Sequence, residues 1–297
     1  MKHAKAAREL ADRYLVSKPH RFRLKDVDPA DTWKFKSDED AKELLAEGVK
    51  QLSDLQKKLY AQDKWAVLLI FQAMDAAGKD GTIDHVMSGI NPQGCQVCSF
   101  KAPTSTELDH DYLWRTTCAL PERGRIGIFN RSYYEETLVV RVHSEYLHAA
   151  KIPPKLITKH IWKERYEDIN ALERYLSRNG VLIRKFFLHV SKEEQKRRFL
   201  SRLEEPDKNW KFSLADVKER EHWDEYQDAY EKTIRHTSTK HAPWFVIPAD
   251  NKWFTRLAVA AAIHDGMRSL GLAYPKVDAA KKSDLAAARA TLLKQKD

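Results

Sequence analysis

Three clusters in this chain carry side chains with an obvious chemical use. The first is Gln72–Thr82 (QAMDAAGKDGT), which follows directly on the apolar run Trp65–Phe71. Small residues let backbone N–H groups approach an anion, a helix starting here aims its free N–H groups and dipole at it, and a lysine adds charge. This is how a chain grips phosphate, with Ala76, Ala77, Gly78, Lys79, Asp80, Gly81 and Thr82 as the cradle. A lysine about 4 Å from a phosphate charge contributes roughly 4 kcal/mol at an effective dielectric near 20, against about 0.3–1 for the dipole, so Lys79 should dominate.

Two positions depart from the usual G-x-x-x-x-G-K-[ST] pattern: Ala73 stands for the first glycine and Asp80 for the metal-binding hydroxyl. A magnesium ion must then be held elsewhere, and Asp75 is the candidate carboxylate. The second cluster is Arg125–Glu136 (RIGIFNRSYYEE), an apolar strand ending in polar groups. A P-loop enzyme normally presents an aspartate to the metal there. Here Asn130 does so, with an uncharged amide oxygen, which shifts more weight to Asp75. Arg131 offers a guanidinium fork suited to bidentate phosphate contact. The third cluster is Lys196–Lys211, where Arg198 and Arg202 share one helical face before a proline-containing loop. A closing lid with such arginines would stabilise the charge of phosphoryl transfer and exclude water.

Elements that alternate as strand and helix must position these clusters. Apolar runs at Trp65–Phe71, Cys95–Phe100, Arg125–Phe129, Val181–Val190 and Trp244–Ile247 read as strands of a parallel sheet covered on both faces. Helical stripes occupy Asp38–Tyr60, Lys155–Leu176 and Lys252–Leu270, and Ser191–Glu194 fits a capping box. Residues 1–37 read as an arm that docks on a single phosphotransferase domain, 38–272, with its lid around 196–222; 273–297 is an Ala- and Lys-rich tail.

With 297 residues, 42% hydrophobic and 32% charged, the chain can bury a sizeable core. A formal net charge of +9 implies an anionic partner, and charge alone does not choose between nucleic acid, acidic membrane and polyphosphate. No apolar run reaches the roughly 18 residues of a membrane helix, and the first ten residues lack an apolar signal core, so the expectation is a cytoplasmic protein with no membrane partner. Cys95, Cys98 and Cys118 make no disulfide framework, and the C-x-x-C reads as part of a buried strand. His143 and His189 lie near strand ends, where packing explains a histidine without a covalent phosphoryl intermediate.

Asp75–Gly81, Phe129–Tyr134 (FNRSYY) and Asp207–Lys211 (DKNWK) together resemble the polyphosphate kinase type 2 family, in its order and spacing, from about Asp38 to Leu270. The resemblance implies a thymidylate-kinase-like α/β P-loop kinase fold, a three-layer sandwich with a central parallel five-stranded sheet and a helical lid. It implies transfer of phosphoryl groups between inorganic polyphosphate and nucleotides, with Mg2+ as cofactor. Asp75 and Lys79 fall on the family's phosphate-loop acid and lysine, Asn130 and Arg131 on its Asp-Arg pair, and Arg198, Arg202, Lys208 and Lys211 in its lid. Glu135, where many ADP-preferring members have Asn, implies with Asn130 that AMP is accepted as well as ADP; guanine nucleotides are further acceptors to test. A homo-oligomer, dimer or tetramer, is expected.

Lys101, Arg115, Arg123, Arg125 and Arg141 are candidates for lining a polyphosphate groove. Two rivals remain at this point. An ATP-dependent nucleotide kinase would share fold and loop. A nucleic-acid-binding P-loop protein would explain the charge and the eight tryptophans, but no nucleic-acid module is present and Trp65, Trp162 and Trp253 sit on core-like stripes.

Overall fold

The run Ala66–Ala73 is apolar up to Phe71 because both its faces are covered, and it forms the central strand, β1. The computed structural model describes residues 2–207 and 209–295. Around β1 lie β2 (Cys95–Ser99), β3 (Ile126–Asn130), β4 (Val181–His189) and β5 (Trp244–Pro248), all parallel in the order β2-β3-β1-β4-β5. This is the expected five-stranded sheet. One expectation changes: β2, read as a buried strand, is the sheet edge, with Val97 54% exposed and both its cysteines only half-buried.

One face of the sheet carries α1 (Lys2–Tyr14), α2 (Asp38–Gln62), α3 (Lys79–Met87) and α7 (Lys252–Arg268), which pack on one another. Helix α7 is buried almost all round because Leu257–Ile263 is an unbroken apolar stretch rich in alanine, whose small side chains let neighbours approach. The other face carries α4 (Ile161–Arg178) and α6 (Trp223–Thr237). The stripe read from Lys155 begins as a helix only at Ile161, because Pro153 and Pro154 precede it and Pro154–Leu156 forms a single 3-10 turn. After α1, Val16 N–H donates to the Trp244 carbonyl at 2.9 Å, tying the N-terminal residues to β5. The last helix, α8 (Ala279–Leu292), buries no side chain. Among the described residues no helix is long and apolar enough to cross a membrane.

Helix α5 (Lys192–Glu204) leaves the end of β4 and runs beside the loop that joins β1 to α3. Ser191 Oγ caps it by accepting from Glu194 N–H at 3.1 Å, but the box is not reciprocal. Ser191 N–H donates instead to Asp250 at 2.8 Å, and the Glu194 carboxylate accepts from Arg197 and Arg198, each at 2.6 Å. Beyond α5 come the turn Asn209–Lys211, the short helix Leu214–Glu219 and the turn Arg220–His222.

Inside the sheet, Lys185 of β4 is fully buried and ion-paired with Glu173 of α4 at 2.6 Å. Its other donors meet Tyr134 Oη at 2.8 Å and the Thr237 carbonyl at 2.7 Å, so all three N–H groups are used. Tyr133 and Tyr134 both donate to Glu173, which fixes the turn directly after Asn130 and Arg131. Burial pulls the Lys185 pKa down to about 8, while Glu173 opposes the shift.

Candidate active site

The ends of β1 and β3, the start of α3, helix α5 and the start of α7 surround one pocket of about 600 Å³. Met74–Thr82 form its floor, and Asn130, Arg131, Arg198, Ser201, Arg202, Lys252 and Arg256 line its walls. In a parallel α/β sheet the crevice at the carboxyl ends of the strands is where ligands bind.

The loop differs from the usual sequence for reasons its geometry makes plain. Ala73 is still in β1, paired in register with Leu188, so no glycine is needed there. The left-handed positions are Ala76 (φ 58°) and Gly78 (φ 95°). Three consecutive carbonyls are drawn to α5: Asp75 accepts from Gln195 Nε2 at 2.8 Å, and Ala76 and Ala77 accept from Arg198 Nη1 at 3.1 and 2.8 Å. Lys79 opens α3 at the pocket floor, its Nζ 3.5 Å from the Ala73 carbonyl. Burial holds the Lys79 pKa below the usual lysine range, Arg131 pushes the same way, and Asp75, Glu135 and Asp80 oppose. Thr82 is buried, with its hydroxyl donating to the Gly78 carbonyl at 3.0 Å within α3.

Two of the departures, at Asp80 and at Asn130, are partners. Asn130 Nδ2 donates to Asp80 Oδ1 at 2.7 Å, so the carboxylate missing from the end of β3 stands across the site at the start of α3. Arg131, itself at φ 63°, donates from Nη2 to Asp75 Oδ1 at 3.2 Å. Burial lowers the Arg131 pKa, but Glu135 and Asp75 outweigh it and hold the group above its ordinary value. Glu135 accepts from Gln72 Nε2 at 3.0 Å, at the edge of the same constellation. Asp75, Asp80 and the Asn130 amide oxygen are hard oxygen donors of the kind magnesium takes together with water and phosphate oxygens. No group of three His, Cys, Asp or Glu side chains among the described residues could hold a metal unaided.

Arg198 departs most from the sequence expectation. The loop beyond α5 suggested an arginine on a moving lid, but Arg198 is 8% exposed and every N–H of its guanidinium is engaged. Besides the loop carbonyls it donates to Glu194 at 2.6 Å, to the Ala249 carbonyl at 2.6 Å and to the Asp250 carbonyl at 3.0 Å. Arg202, one turn on, faces the pocket and lies 3.7 Å from Asp216 of the short helix. Burial and the nearby Asp75 charge hold the Asp216 pKa above the usual carboxylate value. Lys208 lies outside the described residues, as does the side chain of Lys211.

Of the groove candidates, Lys101 lines the pocket. Arg115 donates to the Lys101 carbonyl at 2.7 Å. Arg123 binds the Lys64 and Asn179 carbonyls at 2.6 and 2.9 Å, and Arg125 binds that of Gln93 at 3.1 Å; both stand at the opposite end of the sheet, where they tie strand entrances together. Arg141 donates to Tyr166 at 2.8 Å. Gln195, Lys252 and Arg256 are absent from the residues read as functional from the sequence. A signal existed for the last two: cations in the first two turns of a helix that starts just after a sheet strand.

Comparison with known proteins follows the same lines. Residues 34–271 match the family model described as Polyphosphate kinase 2 (PPK2). A curated relative from Rhodopseudomonas palustris, named ADP-polyphosphate phosphotransferase, is 56% identical over 261 residues, 88% of this chain and 90% of its own. One from Meiothermus ruber, named AMP/ADP-polyphosphate phosphotransferase, is 44% identical over 91% of this chain and 97% of its own. The crystal structure of Polyphosphate Kinase 2 from Arthrobacter aurescens TC1 superposes with a TM-score of 0.87 at 40% identity, covering 96% of this chain and 97% of that one. From the matched span, the identities and the shared sheet, the chain belongs to the polyphosphate kinase 2 family.

Proposed function

We propose that this enzyme transfers phosphoryl groups between inorganic polyphosphate and nucleoside mono- and diphosphates, converting AMP to ADP and ADP to ATP, by direct in-line transfer with Mg2+. The observation that carries the reading is the lining of the pocket. Lys79, Lys101, Arg131, Arg198, Arg202, Lys252 and Arg256 face or border it, against the carboxylates Asp75 and Asp80. An ATP-donor kinase needs an apolar slot for its nucleobase beyond the phosphates. Beyond this loop stand Lys252 and Arg256 instead, which suit a donor that goes on being phosphate.

In such a transfer the protein supplies position and charge. The loop amides and Lys79 would take the phosphoryl group in flight. Arg131, with its fork turned toward Asp75, would hold the acceptor phosphate, and Arg202 would add charge from the α5 side. Bound magnesium would neutralise developing charge on the phosphate oxygens, held by Asp75 with Asp80 and the Asn130 amide oxygen near it. Glu135 beside Arg131 supports acceptance of AMP as well as ADP, a pairing that appears in the name of the Meiothermus ruber relative. The test is to offer AMP, ADP, GMP or GDP with polyphosphate and magnesium but no ATP. Formation of ADP and ATP is expected, and a product that appears only when ATP is the donor would overturn the reading.

A further inference from the structure

Gln195 has no part in the chemistry just described, yet its side chain is 1% exposed and both ends of its amide are used. Nε2 donates to the carbonyl of Asp75 at 2.8 Å. Oε1 accepts from Nη1 of Arg220, which also reaches the Lys192 carbonyl at 3.2 Å. Arg220 opens the turn Arg220–His222, at the base of the segment that carries Asp216 past Arg202 and Asp75. One amide therefore stands in series between that segment and the phosphate loop.

The direction of the Asp75 carbonyl matters because a peptide has two poles. Drawn toward Gln195, the carbonyl leaves the N–H groups of the loop to face the pocket. Turned around, it would set a negative dipole against a phosphate. An amide whose two ends are both satisfied in a buried place has one orientation, fixed by both partners together. We infer that Gln195 is a positioning residue through which Arg220 and the phosphate loop are coupled, so that the pose of the 214–222 segment and the grip on phosphate bias each other. Coupling of this kind is reciprocal: phosphate in the loop holds Arg220 in place as firmly as Arg220 holds the loop. The inference rests on the phosphate-transfer reading of the same pocket.

Pyrophosphate binding to the full chain, measured by calorimetry beside the melting temperature, tests it. Gln195→Glu keeps an acceptor for Arg220 but has no donor for the Asp75 carbonyl, so it is expected to weaken pyrophosphate by about 5- to 30-fold, the worth of one buried hydrogen bond, as Gln195→Met does. Arg220→Met is expected to weaken it by about 2- to 5-fold alone and to add little on top of Gln195→Met, the signature of partners in series. Arg220→Lys, which can still donate to Gln195, should recover most of the loss. A purely structural role would lower the melting temperature and leave affinity as it was. Unaltered affinity in Gln195→Glu, or losses that multiply in the double variant, would overturn the coupling. A wild-type chain that bound neither pyrophosphate nor polyphosphate would overturn both the coupling and the reading beneath it.

Discussion

Replacing Arg198 by methionine separates two roles an arginine can have beside a phosphate loop. Its guanidinium closes five hydrogen bonds, one to the Glu194 carboxylate and four to carbonyls of Ala76, Ala77, Ala249 and Asp250, in a place that is 8% exposed. Methionine fills similar volume but leaves four carbonyls without a partner and Glu194 with Arg197 alone. Removing one member of a buried ionic group costs about 3–5 kcal/mol. Some of the exposed carbonyls will recruit water, so the lower half of that range is expected by urea denaturation, as a fall in midpoint at constant m. The loop carbonyls of Ala76 and Ala77 lose their anchor at the same time, and a shift of about 1 Å at a reacting centre can cost on the order of 10²-fold in rate. Stability and turnover of ADP with polyphosphate should therefore fall together, and Arg198→Lys should recover little of either, because one ammonium has no fork to span two loops. If turnover fell by that factor while the urea midpoint stayed put, Arg198 would be acting on the transferred phosphate and the anchoring argument would be refuted.

The other expectations follow from the same geometry. Lys79→Ala should abolish phosphorylation of ADP by polyphosphate and Asp75→Asn should come close, so purified variants keeping more than about a few per cent of the wild-type rate would contradict their roles. Lys252→Ala with Arg256→Ala should weaken polyphosphate more than ADP and flatten the fall of polyphosphate affinity with salt, since fewer counterions are released; an unchanged salt slope counts against the groove. Asn130→Asp sets a second carboxylate against Asp80 at the 2.7 Å contact and should depress turnover, with Asp80→Asn in the same chain recovering much of it; two independent losses would argue against the pairing. His189 is buried with its pKa lowered to about 4, chiefly by burial. The unfolded chain therefore takes up a proton first, and stability is lost as pH falls from about 6.5 towards 4. The loss should reach about 2 kcal/mol at pH 5 and be reduced by that much in His189→Gln, as read from denaturation at pH 7 and pH 5.

The sheet and the loop that floors the pocket were legible because their signals are local. An apolar run followed by small residues, a lysine and a helix start needs no partner to be recognised, and Trp65–Phe71 with Asp75–Thr82 supplies it within eighteen residues. The role of Arg198 was not legible, since four of its five acceptors are carbonyls contributed by segments more than 50 residues away, and no side-chain pattern announces a carbonyl. Arg123 and Arg125 looked like groove residues for the same reason: a strand has two ends, and charge counts alike at both. Glu194 resembled half of a capping box, yet two arginines within its own helix compete for the carboxylate, and they prevail because each brings a full charge.

A surplus of nine positive charges does not by itself make a polyanion site. What distinguishes this pocket is that its lysine is held against its own charge. Lys79 is pressed towards its neutral form by burial and by Arg131, whose own charge Glu135 and Asp75 favour. That arrangement costs the fold something, and an anion between the two cations offsets it. Polyphosphate should then raise the Lys79 pKa on binding, take up protons most clearly at alkaline pH, and raise the melting temperature in proportion to the logarithm of its concentration. A chain whose cations were merely solvated decoration would bind without the proton uptake. Proton uptake measured by calorimetry in buffers of different ionisation enthalpy distinguishes the two, and binding that moved no protons at alkaline pH below the ordinary lysine range would mean that Lys79 is not strained towards neutrality at all.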